Sequence, residues 1–132
     1  MTGTESPHLP PEEQLVLELF VRDLKASLAF YTRLGFAIER SDDSFAVLRF
    51  EGCELLLDQR PWVSEPPARP QANIRVMVKD ADAAWALASD MKACVFAPIA
   101  DRSYGLRDFT ILDPDGFGVR FASYRTPPAS AR

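Results

Sequence analysis

The sequence predicts an α+β fold of paired βαβββ modules, forming a cup-shaped mixed sheet with the helices outside. Three observations predict it. Val21-Arg22-Asp23, where a strand pattern passes into a helix pattern, returns as Val78-Lys79-Asp80 about 57 positions later. Each copy is followed by three further strand patterns, and a proline-heavy stretch, RPWVSEPPARPQ (Arg60 to Gln71), separates the two copies. Two copies of four strands suggest two half-sheets curling around a shared cleft rather than a long repeat array.

Residues 1–13 contain TESPHLPPEE and are expected to be a flexible arm, because their Pro and Glu content offers little to bury. The first module spans 14–59. LVLELFV (Leu15 to Val21) alternates as a strand, with Leu15, Leu17, Leu19 and Val21 on one face and Val16, Glu18, Phe20 and Arg22 on the other. Asp23 is placed to cap a helix with the stripe Leu24, Leu28, Tyr31 and Leu34, and Gly35 is its stop. FAIER, FAVLRF and CELLLDQ are the next strands, turned at Asp42-Asp43 and Glu51-Gly52. After the link at 60–71 the second module spans 72–125. ANIRVMVKD is its first strand, and ADAAWALASDM is its helix, with Ala84, Leu87, Ala88 and Met91 facing inward. VFAPIA, RDFTILD and FGVRFASY complete the copy, and 126–132 is expected to be a disordered tail.

Composition narrows the function. A chain of 132 residues that is 47% hydrophobic and 26% charged suits one ordinary soluble domain. No apolar run approaches the ~20 residues of a membrane helix, and no secretory pattern opens the sequence, so a cytoplasmic location is expected. The net charge of −4 disfavours nucleic acid and anionic membrane as partners. Cys53 and Cys94 stand in no metal or redox spacing and are expected to be buried free thiols. The single histidine, His8, lies in the arm. Histidine metal sites, Ser-His-Asp triads and Cys-His pairs each need an imidazole held by packed structure, so all three classes are set aside.

If the helices cover the evenly apolar strand faces, the opposite faces line the cleft. Those faces carry Val16, Glu18 and Phe20; Glu54, Leu56 and Asp58; Asn73, Arg75 and Met77; and Gly118, Arg120 and Ala122. One wet face of an antiparallel sheet shows the same alternation, but four strands doing it together point to a cavity. Glu18, Glu54 and Asp58 form a carboxylate set that would suit Mg²⁺ or Mn²⁺ if it converged. Arg75 and Arg120 are the competing partners for those carboxylates, and a paired charge is the commoner outcome.

VRDLKASLAFYTRLGF, the paired modules and YGLRDFTILDPDGFGVRF resemble the vicinal-oxygen-chelate superfamily, which includes glyoxalases, extradiol dioxygenases and bleomycin-resistance proteins. The likeness covers roughly residues 14–125. It implies the paired-module fold and a homodimer in which modules of two chains face each other. In the superfamily's metalloenzymes it also implies four metal ligands on strands, which fall here at Val16, Leu56, Asn73 and Arg120. None is a ligand of the expected kind, and Arg120 puts a fixed cation where a divalent metal would sit. The resemblance therefore implies a cavity without metal or other cofactor.

Within the superfamily the chain looks most like the bleomycin-resistance proteins, which sequester a cationic, planar-tailed glycopeptide. That resemblance implies that Phe45 and Tyr104 stack on a flat heteroaromatic group while Asp42, Asp43 and Asp58 favour its positive charge. Trp62 is a candidate replacement surface, and Trp85 is expected at the cleft margin or against another chain. Tyr104 stands where the best-known binders carry tryptophan, and Arg40 replaces a second expected aromatic.

Two functions compete, beside a blander third option in which the cleft mainly mediates dimerisation. The first is sequestration of an aromatic, cationic antibiotic with no chemical step, using Phe45, Asp58, Tyr104, Arg120, Asn73, Leu56, Glu18 and Trp62 as ligand-binding residues. The second is an enzyme acting on a small anionic metabolite, with Glu18 or Glu54 as general base and Arg75 or Arg120 as a clamp, or with an all-carboxylate metal site. Ligand charge discriminates them: Arg75 and Arg120 favour an anion, and Asp42, Asp43, Asp58 and Phe45 a flat cation.

Overall fold

Two aspartates start both long helices in the same way. The Asp23 carboxylate accepts from the backbone N–H groups of Lys25 and Ala26, and that of Asp80 from Asp82 and Ala83. Each thereby satisfies amides that the first helical turn leaves open, which is worth about 1 kcal/mol per cap. The computed structural model describes residues 9–125, so His8 and the tail at 126–132 lie outside the described residues. It divides into two compact units, Met1–Ser64 and Glu65–Arg132.

In the first unit the elements run α1 (Pro11–Gln14), β1 (Leu17–Val21), α2 (Leu24–Arg33), β2 (Ala37–Ser41), β3 (Phe45–Phe50) and β4 (Cys53–Gln59). The sheet order is β1-β4-β3-β2, with β1 parallel to β4 and the other pairs antiparallel. At the end of the stretch expected to be an arm and running into the first module, Pro11–Gln14 form a helical turn, and the first strand starts at Leu17 rather than Leu15. Leu19, Val21, Leu48, Leu55 and Leu57 are buried on the sheet face that receives Leu24, Tyr31 and Leu34. Aromatic edges extend this core: Tyr31 to Phe36 at 5.2 Å and Phe36 to Phe50 at 5.0 Å between ring centroids. Gly35 ends the helical segment at φ 107°, a conformation other residues adopt only with strain.

The second unit repeats the plan with β5 (Asn73–Met77), α3 (Ala81–Asp90), β6 (Cys94–Asp101), β7 (Leu106–Leu112) and β8 (Gly118–Tyr124). Its order is β5-β8-β7-β6, with β5 parallel to β8. Trp85 does not stand at a margin. Its ring packs edge-on against Phe109 at 5.1 Å, and Phe109 stacks on Phe121 at 5.6 Å, so this tryptophan anchors the core of its own unit. Edge strand β6 carries Pro98 within the register shift between Ala97 and Ala100, where a missing N–H costs no ladder bond. Both cysteines are free, as expected, but exposed rather than buried. Among the described residues no helix is long and apolar enough to cross a membrane.

The turn before β8 is closed by Asp113, whose Oδ1 accepts from the N–H groups of Asp115 (2.8 Å) and Phe117 (3.0 Å) while its carbonyl accepts from Gly116. Gly116 sits at φ 87°, and a Cβ there would lie 2.8 Å from Pro66 Cβ. Both its backbone and its surroundings therefore require glycine. Gly116→Ala is expected to destabilise the protein by more than ~1 kcal/mol in urea unfolding. Gly52→Ala, which faces open space, should stay within ~0.5 kcal/mol of the parent; equal effects would contradict this reading of the turn.

Candidate ligand-binding site

The Asp113 turn sets which β8 residues face away from the helix. Pairing across the sheet places Arg75 beside Arg120 and Arg120 beside Thr110, then Met77 beside Ala122 and Ala122 beside Asp108, then Tyr124 beside Leu106. Because side chains alternate along a strand, these rows share one face. That face holds a pocket of about 430 Å³ lined by Arg75, Met77, Tyr104, Leu106, Arg120 and Tyr124.

A buried carboxylate organises the rim. Asp108 accepts Arg102 Nε on Oδ1 at 2.8 Å and the Tyr104 hydroxyl on Oδ2 at 2.7 Å. Arg102 also donates to the carbonyl of Pro98 at 2.7 Å, which ties the β6–β7 loop to its own strand. The hydrogen bond to Asp108 raises the Tyr104 pKa above its ordinary value, and burial and the Asp108 charge add to this against weaker opposition from Arg120 and Arg102. Arg102 and Asp108 thus cancel each other's charge. Among the described residues Arg75 and Arg120 have no ion-pair partner, so the pocket carries two uncompensated positive charges. Tyr104 and Tyr124, each 57% exposed, offer ring surface beside them.

The sequence-predicted residues fall into two groups. In the second unit Tyr104 and Arg120 line the pocket, and Asn73 lies one row away, its Oδ1 over Gly118 where any Cβ would collide with it. In the first unit Glu18 pairs with Leu56, and Asp58 lies between Phe20 and Phe45, all on one sheet face. Trp62 is exposed and tilts against Phe20 at 5.0 Å. The carboxylates there are not partnered by Arg75 or Arg120, as one reading of the sequence had it. Glu54 binds Arg49 at 2.7 Å, with Glu39 and Glu13 on the same guanidinium, and Asp58 binds Arg60 at 2.9 Å. Asp42 also has a local task. Its carboxylate accepts from the N–H groups of Ser44 and Phe45, both at 2.9 Å, and those bonds hold its pKa below the ordinary value. Sequence reasoning missed Tyr124 and Leu106 as lining. Tyr124 was detectable, since it continues the alternation Gly118, Arg120, Ala122.

The four positions at which the superfamily's metalloenzymes place ligands do not fit a metal. Val16 and Leu56 have no lone pair to give, and Arg120 repels a cation. Among the described residues no three His, Cys, Asp or Glu side chains are grouped so as to hold a metal ion.

A family model described as Glyoxalase/Bleomycin resistance protein/Dioxygenase superfamily matches residues 14–121. No curated protein matches the chain. Solved structures share its fold at low identity. A glyoxalase/dioxygenase from Nostoc punctiforme is 22% identical with a TM-score of 0.73, over 93% of this chain and 100% of that one. A glyoxalase/bleomycin resistance protein/dioxygenase from Alicyclobacillus acidocaldarius is 22% identical with a TM-score of 0.70, over 89% and 95%. A bleomycin-binding protein complexed with bleomycin is 21% identical with a TM-score of 0.66, over 86% and 99%.

Tyr104 supplies a direct test of the rim. In an ultraviolet titration, the difference between the parent and Tyr104→Phe isolates this phenol, which should ionise above the ordinary ~10 and shift downward in Asp108→Asn. Because the raised pKa favours the protonated folded form, its contribution to stability is complete below the unfolded pKa and is lost as pH rises through the folded one. An ordinary titration unaffected by Asp108→Asn would contradict the rim geometry.

Proposed function

The chain belongs to the glyoxalase/bleomycin resistance protein/dioxygenase superfamily, and from that premise we propose that it is a small-molecule-binding protein that sequesters an aromatic ligand without transforming it. The observation that carries this reading is the chemistry of the pocket lining. The two guanidiniums offer only donors, and the Tyr104 hydroxyl donates to Asp108, a hydrogen bond that raises the phenol's pKa. Asp108 itself is occupied by Arg102 and Tyr104, which leaves no free base among the lining residues. Met77, Leu106 and the two tyrosine rings supply apolar surface of the kind that holds a ligand body.

A cationic antibiotic of the bleomycin type is a second reading, favoured by one arrangement in the first unit. Phe20 and Phe45 flank Asp58, and exposed Trp62 lies against Phe20, so aromatic surface stands beside an acid. Against it, Asp58 is already paired with Arg60 and Asp42 with its own turn. An enzymatic role for Glu54 as base is disfavoured in the same way by Arg49. A homodimer in the cytoplasm completes the proposal; exposed Leu17 and Phe20 on edge strand β1 support its dimeric part.

Calorimetric titration with bleomycin and with one- and two-ring aromatic acids, amines and amides tests the function. At least one should bind saturably, weaken in Tyr104→Ala and be recovered unchanged by mass spectrometry. Conversion of a bound ligand to product, or binding indifferent to Tyr104→Ala, would overturn it.

A further inference from the structure

We infer that the second-unit pocket is a receptor for an oxyanion carried on a flat apolar body of one or two rings, with Arg75 and Arg120 gripping the anion together. The inference rests on the binding function proposed above and names its ligand class. Arg75 and Arg120 are direct neighbours across the parallel β5–β8 pair. Like charges placed opposite each other on adjacent strands destabilise a sheet unless something answers them. The nearest carboxylate on the face, Asp108, is turned to Arg102 and Tyr104 and cannot serve. An anion arriving between the two guanidiniums relieves their repulsion and accepts paired N–H donors from a planar fork, which a point-like cation such as lysine does not offer.

The strand geometry then sets the ligand's length and shape. Arg120, Ala122 and Tyr124 point the same way along β8, at roughly 3.3 Å per residue, so about 13 Å separates the anion end from the far wall. Ala122 in the middle keeps the floor low, Met77 and Leu106 bound it, and Tyr104 and Tyr124 present ring faces. A one- or two-ring aromatic acid fills such a trough. An inorganic anion would satisfy the arginines but leave the apolar floor uncovered, and a flat cation would meet two positive charges at the end where the floor is polar. Carboxylate, sulfonate and phosphonate share the required chemistry.

The test compares charge variants of one ring system on the full chain. 2-Naphthoate, 2-naphthalenesulfonate, 2-naphthamide, 2-naphthylmethylammonium and inorganic phosphate are titrated by calorimetry against the parent, Arg75→Met and Arg120→Met. Expected is saturable binding of the carboxylate or sulfonate at one per chain, at least tenfold tighter than the amide, the ammonium or phosphate, and at least tenfold weaker in either arginine variant. Preference for the ammonium or amide, with binding still weakened by Tyr104→Ala, would overturn the anion receptor and leave the binding function standing. No binding of any naphthalene ligand by the unmodified protein would overturn the receptor outright. Binding of bleomycin in that case would leave sequestration as the function.

Discussion

Arg75 and Arg120 stand beside each other across a pair of parallel strands with no ion-pair partner among the described residues, and much of the second unit serves to keep them there. Parallel pairing of β5 with β8 sets Arg75 beside Arg120. The self-bonded Asp113 turn, closed by a glycine under Pro66, delivers β8 in that register. On the other face Trp85, Phe109 and Phe121 pack ring against ring, and such pairs contribute roughly 0.5–1.5 kcal/mol each beyond their burial. That apolar side offsets the repulsion on the polar side.

The two units run the same topology toward different surface chemistry. In the first, Arg49 is surrounded by Glu13, Glu39 and Glu54, and Arg60 meets Asp58, so these two arginines are answered locally. In the second, the acid that register places nearest is consumed by Arg102 and a tyrosine hydroxyl, and the floor arginines are left over. Repeating the backbone plan therefore did not repeat the electrostatics. Where the superfamily's metalloenzymes place ligand atoms, this chain has hydrocarbon at Val16 and Leu56 and a cation at Arg120.

Most of the fold was legible because its signals are local. Alternation in FAVLRF and CELLLDQ reproduces β3 and β4 residue for residue, and the two capping aspartates locate both helix starts. The site was legible only in part. Strand alternation placed Arg75, Met77 and Arg120 on one face, as observed. It did not reveal which charges pair, because Arg49 reaches Glu54 from the neighbouring strand and Arg102 reaches Asp108 from a loop, and periodicity carries no such information. Trp85 was misplaced for a related reason. Its helix is rich in alanine, and the one large ring reaches Phe109 from a position outside the expected stripe. The cysteines were expected inside on residue type, but Cys53 begins a strand at a turn and Cys94 lies on an edge, and both positions are open.

The most direct measurement is urea unfolding of Arg75→Met and Arg120→Met beside the parent at low and high ionic strength. If the two arginines are an unanswered pair, each variant should be as stable as the parent or more so at low salt, and the difference should shrink as salt screens the repulsion. A loss of about 3 kcal/mol or more in either variant would mean that the arginine answers a buried partner charge, and the anion receptor would have to be abandoned.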